Sequence, residues 1–169
     1  MKKGILLLIV LSVSVWLTAE ARHHDSDPAE RAVVEDQGEL PWVVDIEEIT
    51  LENAMFRRSQ WTGRYLQMTL MSIPPGGEIG GEIHPDNDQF IRLEQGTAQV
   101  LMGTSAAAIT FDQVVTDDWA VFIPAGYWHN LVNIGEEEVK LYSIYSPPEH
   151  PKGTVHVTFE ESEADHHHH

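Results

Sequence analysis

The stretch Pro75-Gly76-Gly77-Glu78-Ile79-Gly80-Gly81-Glu82-Ile83-His84-Pro85-Asp86-Asn87-Asp88-Gln89, running on to Leu93-Glu94-Gln95-Gly96, decides how this chain reads. It sets a carboxylate, an imidazole and an amide between glycine and proline turns, then enters an apolar run. About forty residues on, Ile123-Pro124-Ala125-Gly126-Tyr127-Trp128-His129-Asn130-Leu131-Val132-Asn133 repeats the plan. Residues two apart in a strand share a face, so Glu82 and His84 converge on one point. Gln89 lies beyond the Pro85-Asp86-Asn87 turn and folds back to the same point. Asp88 is the alternative oxygen donor if that turn is one residue shorter. His129 opens a further strand after the Pro124-Ala125-Gly126 turn. Two imidazoles, one carboxylate and one amide oxygen suit divalent Mn, Fe, Ni, Co or Zn. Copper(I) and iron–sulfur clusters need sulfur. The two segments together predict a metal site inside a small β-barrel.

The surrounding sequence supports a barrel. Short apolar runs separated by turn residues cover residues 65–72, 89–93, 98–102, 108–115, 120–123, 128–132 and 139–145. Residues 42–46 read as a first strand and residues 155–159 as a last one. Glu94-Gln95-Gly96 reads as a hairpin turn, and Pro147-Pro148 stops the run before it. About ten short strands at such intervals indicate an all-β sandwich or barrel. No segment sustains a helical period, and residues 49–58 are the one candidate for a helical turn.

The chain has 169 residues, no cysteine and a formal net charge of −17. Lys2 and Lys3, the uncharged apolar residues 5–17 and Thr18-Ala19-Glu20-Ala21 have the three-part build of a secretory signal peptide, with cleavage expected after Ala21. The apolar run falls short of the roughly 20 residues of a membrane span, and a retained anchor is the alternative. No cysteine near the cut means no lipoprotein anchor. Removing 21 residues from 169 leaves 148, the size of one domain. The segment removed carries Lys2, Lys3 and Glu20, so the mature charge is −18. That sign repels phosphate backbones and anionic lipid, which argues against nucleic acid and against stable membrane association. The expected organisation is a signal peptide over 1–21, a flexible acidic leader over 22–40, a barrel over 41–160 and a histidine-ended tail over 161–169. The acidic clusters lack calcium-loop spacing and read as solvated edges. His23, His24 and His166 to His169 bind metal loosely at most and are set outside the site.

The two segments resemble the paired motifs of the cupin superfamily, small single-domain members in particular. The second motif matches at Pro124, Gly126, His129 and Asn133, with Asp118 where a leading glycine is usual. The first matches at Gly76, His84 and Gly96, with Glu82 in place of an earlier histidine and Gln89 in place of a glutamate. The resemblance runs from about Met68 to Tyr145 and implies a double-stranded β-helix, the cupin jelly-roll barrel. It implies one divalent ion on Glu82, His84, Gln89 and His129, and a homodimer.

The leading expectation is therefore an exported cupin, periplasmic or secreted, that binds one divalent ion and acts on a small molecule as an isomerase, lyase or oxygenase. Glu82 would be ligand or general base. Two histidines and a carboxylate resemble the iron(II) oxygenase triad. The alternatives are a non-catalytic module binding a sugar or organic acid, and a structural barrel without an ion. Phe90, Tyr127, Trp128, Tyr142 and Tyr145 read as core or rim packing. Arg92 reads as the partner of a surface carboxylate, and His150 as a surface residue.

Overall fold

The structure, a computed structural model, describes residues 35–166. The proposed signal peptide and most of the leader lie outside those residues. In chain order the elements are α1 (Ile46–Glu52), β1 (Arg57–Thr62), β2 (Gln67–Ile73), β3 (Glu82–Ile83), β4 (Asp88–Gln95), β5 (Thr97–Gly103), β6 (Ile109–Thr116), β7 (Ala120–Ile123), β8 (Trp128–Asn133), β9 (Val139–Ser146), β10 (Val155–His156) and α2 (Phe159–His166). One sheet has six strands in the order β10-β1-β2-β9-β4-β7, and the other has four in the order β3-β8-β5-β6. Every pairing is antiparallel. The expected all-β barrel is what the chain forms.

The two sheets close on a shared core. Met71, Ile73, Ile91, Leu93, Val139 and Leu141 come from the larger sheet, and Ala98, Val100, Met102 and Leu131 from the smaller. Directly opposed residues share a face, so the register sorts the large sheet into rungs. Arg57, Met71, Leu141 and Leu93 form one rung. Ser59, Thr69, Ser143 and Ile91 form the next, and Thr62, Gln67, Tyr145 and Gln89 the one after. On the small sheet Glu82 faces His129, which faces Met102. The lumen is thus apolar at one end and polar at the other. Each fully buried Leu or Ile contributes about 1.5–3 kcal/mol relative to exposure, and those side chains are concentrated in the apolar end.

Three elements differ from the sequence reading. The strand expected over 42–46 is instead the approach to α1. Asp45 caps that helix, its carboxylate accepting from Glu48 N at 3.2 Å, and Glu47 and Glu48 suit the positive end of the helix. Its far end is held by Lys140, whose Nζ donates to Asn53 O at 2.7 Å and Ser72 Oγ at 2.8 Å. The strand expected over 155–159 stops at His156. Thr158 Oγ1 accepts from Glu161 N and Glu161 accepts from Val157 N, a helix start of the S/T-x-x-E kind. Residues 161–166, which read as tail, therefore belong to α2. The ordered body also begins earlier than residue 41. Asp36 Oδ1 accepts from Thr62 N at 2.9 Å, and Gln37 N donates to Gln60 O at 2.9 Å. Residues 36–40 lie against β1 rather than in a flexible leader.

The motif glycines earn their places through backbone angles. Gly96 sits at φ 93° in the β4–β5 hairpin, where an added Cβ would meet Val139 at 2.9 Å. Asp118, standing where a glycine is usual, has φ 68°, a region that Asp tolerates better than most residues. Asn133 is structural. It donates to Ile73 O and Glu137 O and accepts from Gly135 N, which fixes the turn after β8.

Candidate metal centre

The site is built where β3 meets β8. Gly81 lies against the Trp128 ring, with room for no side chain, since an added Cβ would fall 2.7 Å from it. That close approach lets a strand of two residues pair Glu82 directly with His129. His84 follows two positions on, and its carbonyl accepts from Gly126 N at 2.8 Å, which ties the first segment to the turn of the second. Asp88 Oδ1 accepts from Ala125 N at 3.0 Å and is exposed, whereas Gln89 is buried. Of the two alternatives, Gln89 is the one on the lumen rung.

Glu82, His84 and His129 each offer one ligand atom, all lying within 4.8 Å of one another. Glu82 Oε1 is 3.2 Å from His84 Nε2 and 3.3 Å from His129 Nε2. Glu82 Oε2 is 3.9 Å from the buried guanidinium of Arg57. Burial works to raise the Glu82 pKa. The hydrogen bond to His129, the close contact with His84 and the Arg57 charge outweigh it and hold the carboxyl well below its usual range. Burial also works against charge on His84, but the carboxylates of Glu149 and Glu82 lift its pKa to about 9.

Each of the four sequence-predicted residues is held from behind. His84 Nδ1 lies 3.1 Å from Glu149 Oε1, and His129 Nδ1 lies 3.1 Å from Tyr127 O. Glu82 has Arg57. Gln89 Nε2 donates to Ser143 Oγ at 2.9 Å and to the Tyr145 hydroxyl at 3.1 Å. This leaves Gln89 Oε1 buried without a hydrogen bond, and His84 Nε2 likewise, its contact with Glu82 having ion-pair distance but not hydrogen-bond geometry. Buried polar atoms without partners are rare. The carboxylate and two imidazoles that converge here, with the buried Gln89 oxygen on the lumen rung, are donor types that fit a divalent cation. Holding the far side of each ligand is how proteins orient metal-binding histidines.

Four contributors escaped the sequence reading. Arg57 begins a polar-looking strand, Arg57-Arg58-Ser59-Gln60, with nothing to mark its side chain as inward. Glu149 sits in a proline-rich loop and reaches back to His84. Gln67 is fully buried and grips that loop. Tyr145, expected to be packing, has its hydroxyl on Gln89 and its ring edge-on to His84. Burial raises its phenol to about 12. His150 is half-buried against Tyr145 rather than on the surface. Phe90, Phe122 and Tyr142 cluster away from the site, Phe122 being exposed. Arg92 pairs with Glu94 and Asp118, as expected of it.

A family profile described as the cupin domain matches residues 69–145. Protein YrkC of Bacillus subtilis (strain 168) is 51% identical over 126 residues, covering 75% of this chain and 68% of its own. Protein L612 of Acanthamoeba polyphaga mimivirus is 44% identical over 117 residues, covering 69% of this chain and 71% of its own. The crystal structure of BH2720 from Bacillus halodurans superposes with a TM-score of 0.77 at 53% identity, over 78% of this chain and 99% of that one.

Proposed function

The chain belongs to the cupin superfamily, and on that premise we propose that its barrel holds one divalent ion on Glu82, His84, His129 and Gln89 and uses it to bind or transform a small polar molecule. One observation carries this reading. Each of the four side chains is gripped by a partner on one atom, and two of the atoms left over, His84 Nε2 and Gln89 Oε1, are buried without a hydrogen bond. Leaving a buried polar atom unpaired costs about 1–3 kcal/mol, and a divalent ion would partner Gln89 Oε1 while sharing the Glu82 carboxylate with the two imidazoles, whose ligand atoms lie within 4.8 Å of one another.

A divalent ion bound there supplies Lewis-acid polarisation of a substrate oxygen. Glu82 acts as a ligand rather than a base. Both its oxygens are engaged, and a carboxyl held well below its usual range accepts protons poorly. Tyr145 keeps its proton at any working pH, and its oxygen already accepts from Gln89, so its O–H remains a donor for a bound oxygen atom. A site with a polarising ion, a phenol donor and no strong base supports isomerase, lyase or oxygenase chemistry led by the ion. The second reading is a binding module without turnover, favoured by a donor set of four that can fill a tetrahedral ion.

Mass spectrometry of metal content on a chain of residues 22–165, beside Glu82→Ala and His84→Ala, tests the reading. The expected result is near one ion per chain, lost in both variants. A wild type that holds no ion after reconstitution would sink it. We also propose that the mature chain is exported and forms a homodimer. N-terminal sequencing of the recovered protein and its mass by light scattering test those two points.

A further inference from the structure

We propose that Glu149 and Gln67 form a latch that positions His84, so that the loop after β9 sets the geometry of the metal centre from outside the ligand set. The inference rests on the metal reading above and goes beyond it, because neither residue is a ligand.

Glu149 lies in the segment Pro147-Pro148-Glu149-His150-Pro151. Its Oε1 is 3.1 Å from His84 Nδ1. A carboxylate in that place draws the Nδ1 proton and leaves Nε2 as the nitrogen facing Glu82, 3.2 Å away. Glu149 is itself partly exposed, so its aim depends on what holds the loop. That is chiefly Gln67. Its Oε1 accepts from Glu149 N at 3.1 Å and from His150 N at 2.8 Å, and its Nε2 donates to His150 O at 2.8 Å and Thr62 Oγ1 at 2.9 Å. One fully buried amide therefore binds both faces of the loop backbone. Asn87 adds a second tie, donating through Nδ2 to Pro147 O at 2.7 Å. Asn87 lies three residues after His84, so the loop grips the turn between β3 and β4 that carries the ligand as well as the ligand itself. The line Gln67–loop–Glu149–His84 joins three sequence-distant segments and ends on one imidazole nitrogen.

Two measurements on the wild type, Glu149→Ala, Glu149→Gln and Gln67→Leu test the latch. The first is on metal-free protein. Ring nitrogen–proton correlation should show a slowly exchanging Nδ1–H for His84, identified by its loss in His84→Gln. It should vanish in Glu149→Ala and persist, shifted, in Glu149→Gln, whose amide oxygen still accepts. The second is titration with Co2+ against a competing chelator. Affinity should fall about 10–100-fold in Glu149→Ala, recover in part in Glu149→Gln, and fall in Gln67→Leu. The double variant Gln67→Leu/Glu149→Ala should lose no more affinity than the worse single one, since both act through His84. Unchanged Co2+ affinity and an unchanged ring proton in Glu149→Ala would overturn the latch. So would additive losses in the double variant, which would mark Gln67 as a purely structural residue. A wild type that takes up no Co2+ overturns the metal reading instead, and the ring proton then still decides whether Glu149 holds His84.

Discussion

The two ends of the barrel lumen are made by the same strands and have opposite character. Along β2 the inward residues run Gln67, Thr69, Met71, Ile73, and along β9 they run Val139, Leu141, Ser143, Tyr145. The apolar rungs are filled by aliphatic side chains that are essentially unexposed. The polar rungs carry amides and hydroxyls, and beside them stands the Glu82–His84–His129 group, its two histidines buried and Glu82 partly so, with Arg57 reaching Glu82 from the Met71 rung. Dispersion and the hydrophobic effect reward the first kind of filling without regard to direction. The second kind is stable only if nearly every polar atom finds a partner of the right geometry. The difference teaches a division of labour: one end closes the barrel, and the other spends that stability on a fixed array of donor atoms.

Replacing Arg57 with Met should break this contrast most severely. Arg57 compensates Glu82 and donates to Ser162 Oγ at 2.7 Å. Removing one member of a buried charge pair costs about 3–5 kcal/mol, and urea unfolding of metal-free protein should show it. Adding a divalent ion should recover part of the loss, because the ion then compensates Glu82. Leu141→Ala probes the aliphatic filling, on the same rung as Arg57. Leu141 is fully buried, so the loss should be about 2–5 kcal/mol, with metal stoichiometry unchanged in the folded protein. A Leu141→Ala variant that lost its ion would show that the aliphatic packing and the donor array are not separable.

The pH dependence of metal-free stability sharpens the comparison at a smaller scale. The His84 pKa is raised in the fold, from 6.5 to about 9, so the folded state binds its proton more tightly than the unfolded chain. That contribution is complete below pH 6.5 and is lost as pH climbs through about 9. The Glu82 pKa is depressed, so its contribution is present above its ordinary 4.5 and is lost as pH falls further. Thermal melting should therefore be highest between the two and fall on either side, with the alkaline fall flattened in His84→Gln. Metal affinity should move the opposite way and rise toward pH 9, since the ion displaces the His84 proton. The smallest effect belongs to Phe122→Ser on the outer face. Phe122 is 72% exposed, and unfolding free energy should change by no more than about 0.5 kcal/mol.

Much of the fold was legible because strands advertise themselves through period-two alternation and turns through glycine and proline. The run expected at 120–123 is β7 to the residue, and those at 98–102, 128–132 and 139–145 fall within one residue of β5, β8 and β9. Of the two helices, α1 overlaps the helical turn expected over 49–58 but starts and ends earlier, and α2 was missed, because both are too short to show a period. Their starts were nonetheless written in the sequence, as Asp45-Ile46-Glu47-Glu48 and Thr158-Phe159-Glu160-Glu161. β1 was missed because Arg57-Arg58-Ser59-Gln60 looks like surface. Its inward positions Arg57 and Ser59 are polar even though Arg57 shares a rung with Met71 and Leu141, so alternation of hydrophobic and polar residues does not separate inside from outside there.

The sequence by itself determined the barrel and brought Glu82, His84, Gln89 and His129 forward as one group. Strand geometry and turn positions are local properties, readable from spacing alone. Tertiary structure decided what stands behind each of those residues. Arg57 is 25 residues before Glu82, and Glu149 is 65 after His84. No local period relates such positions, because the contacts are made by sheet register and loop closure after the chain has folded. The donor atoms that face a ligand are therefore encoded close to their motifs, and the partners that aim them are encoded only in the fold.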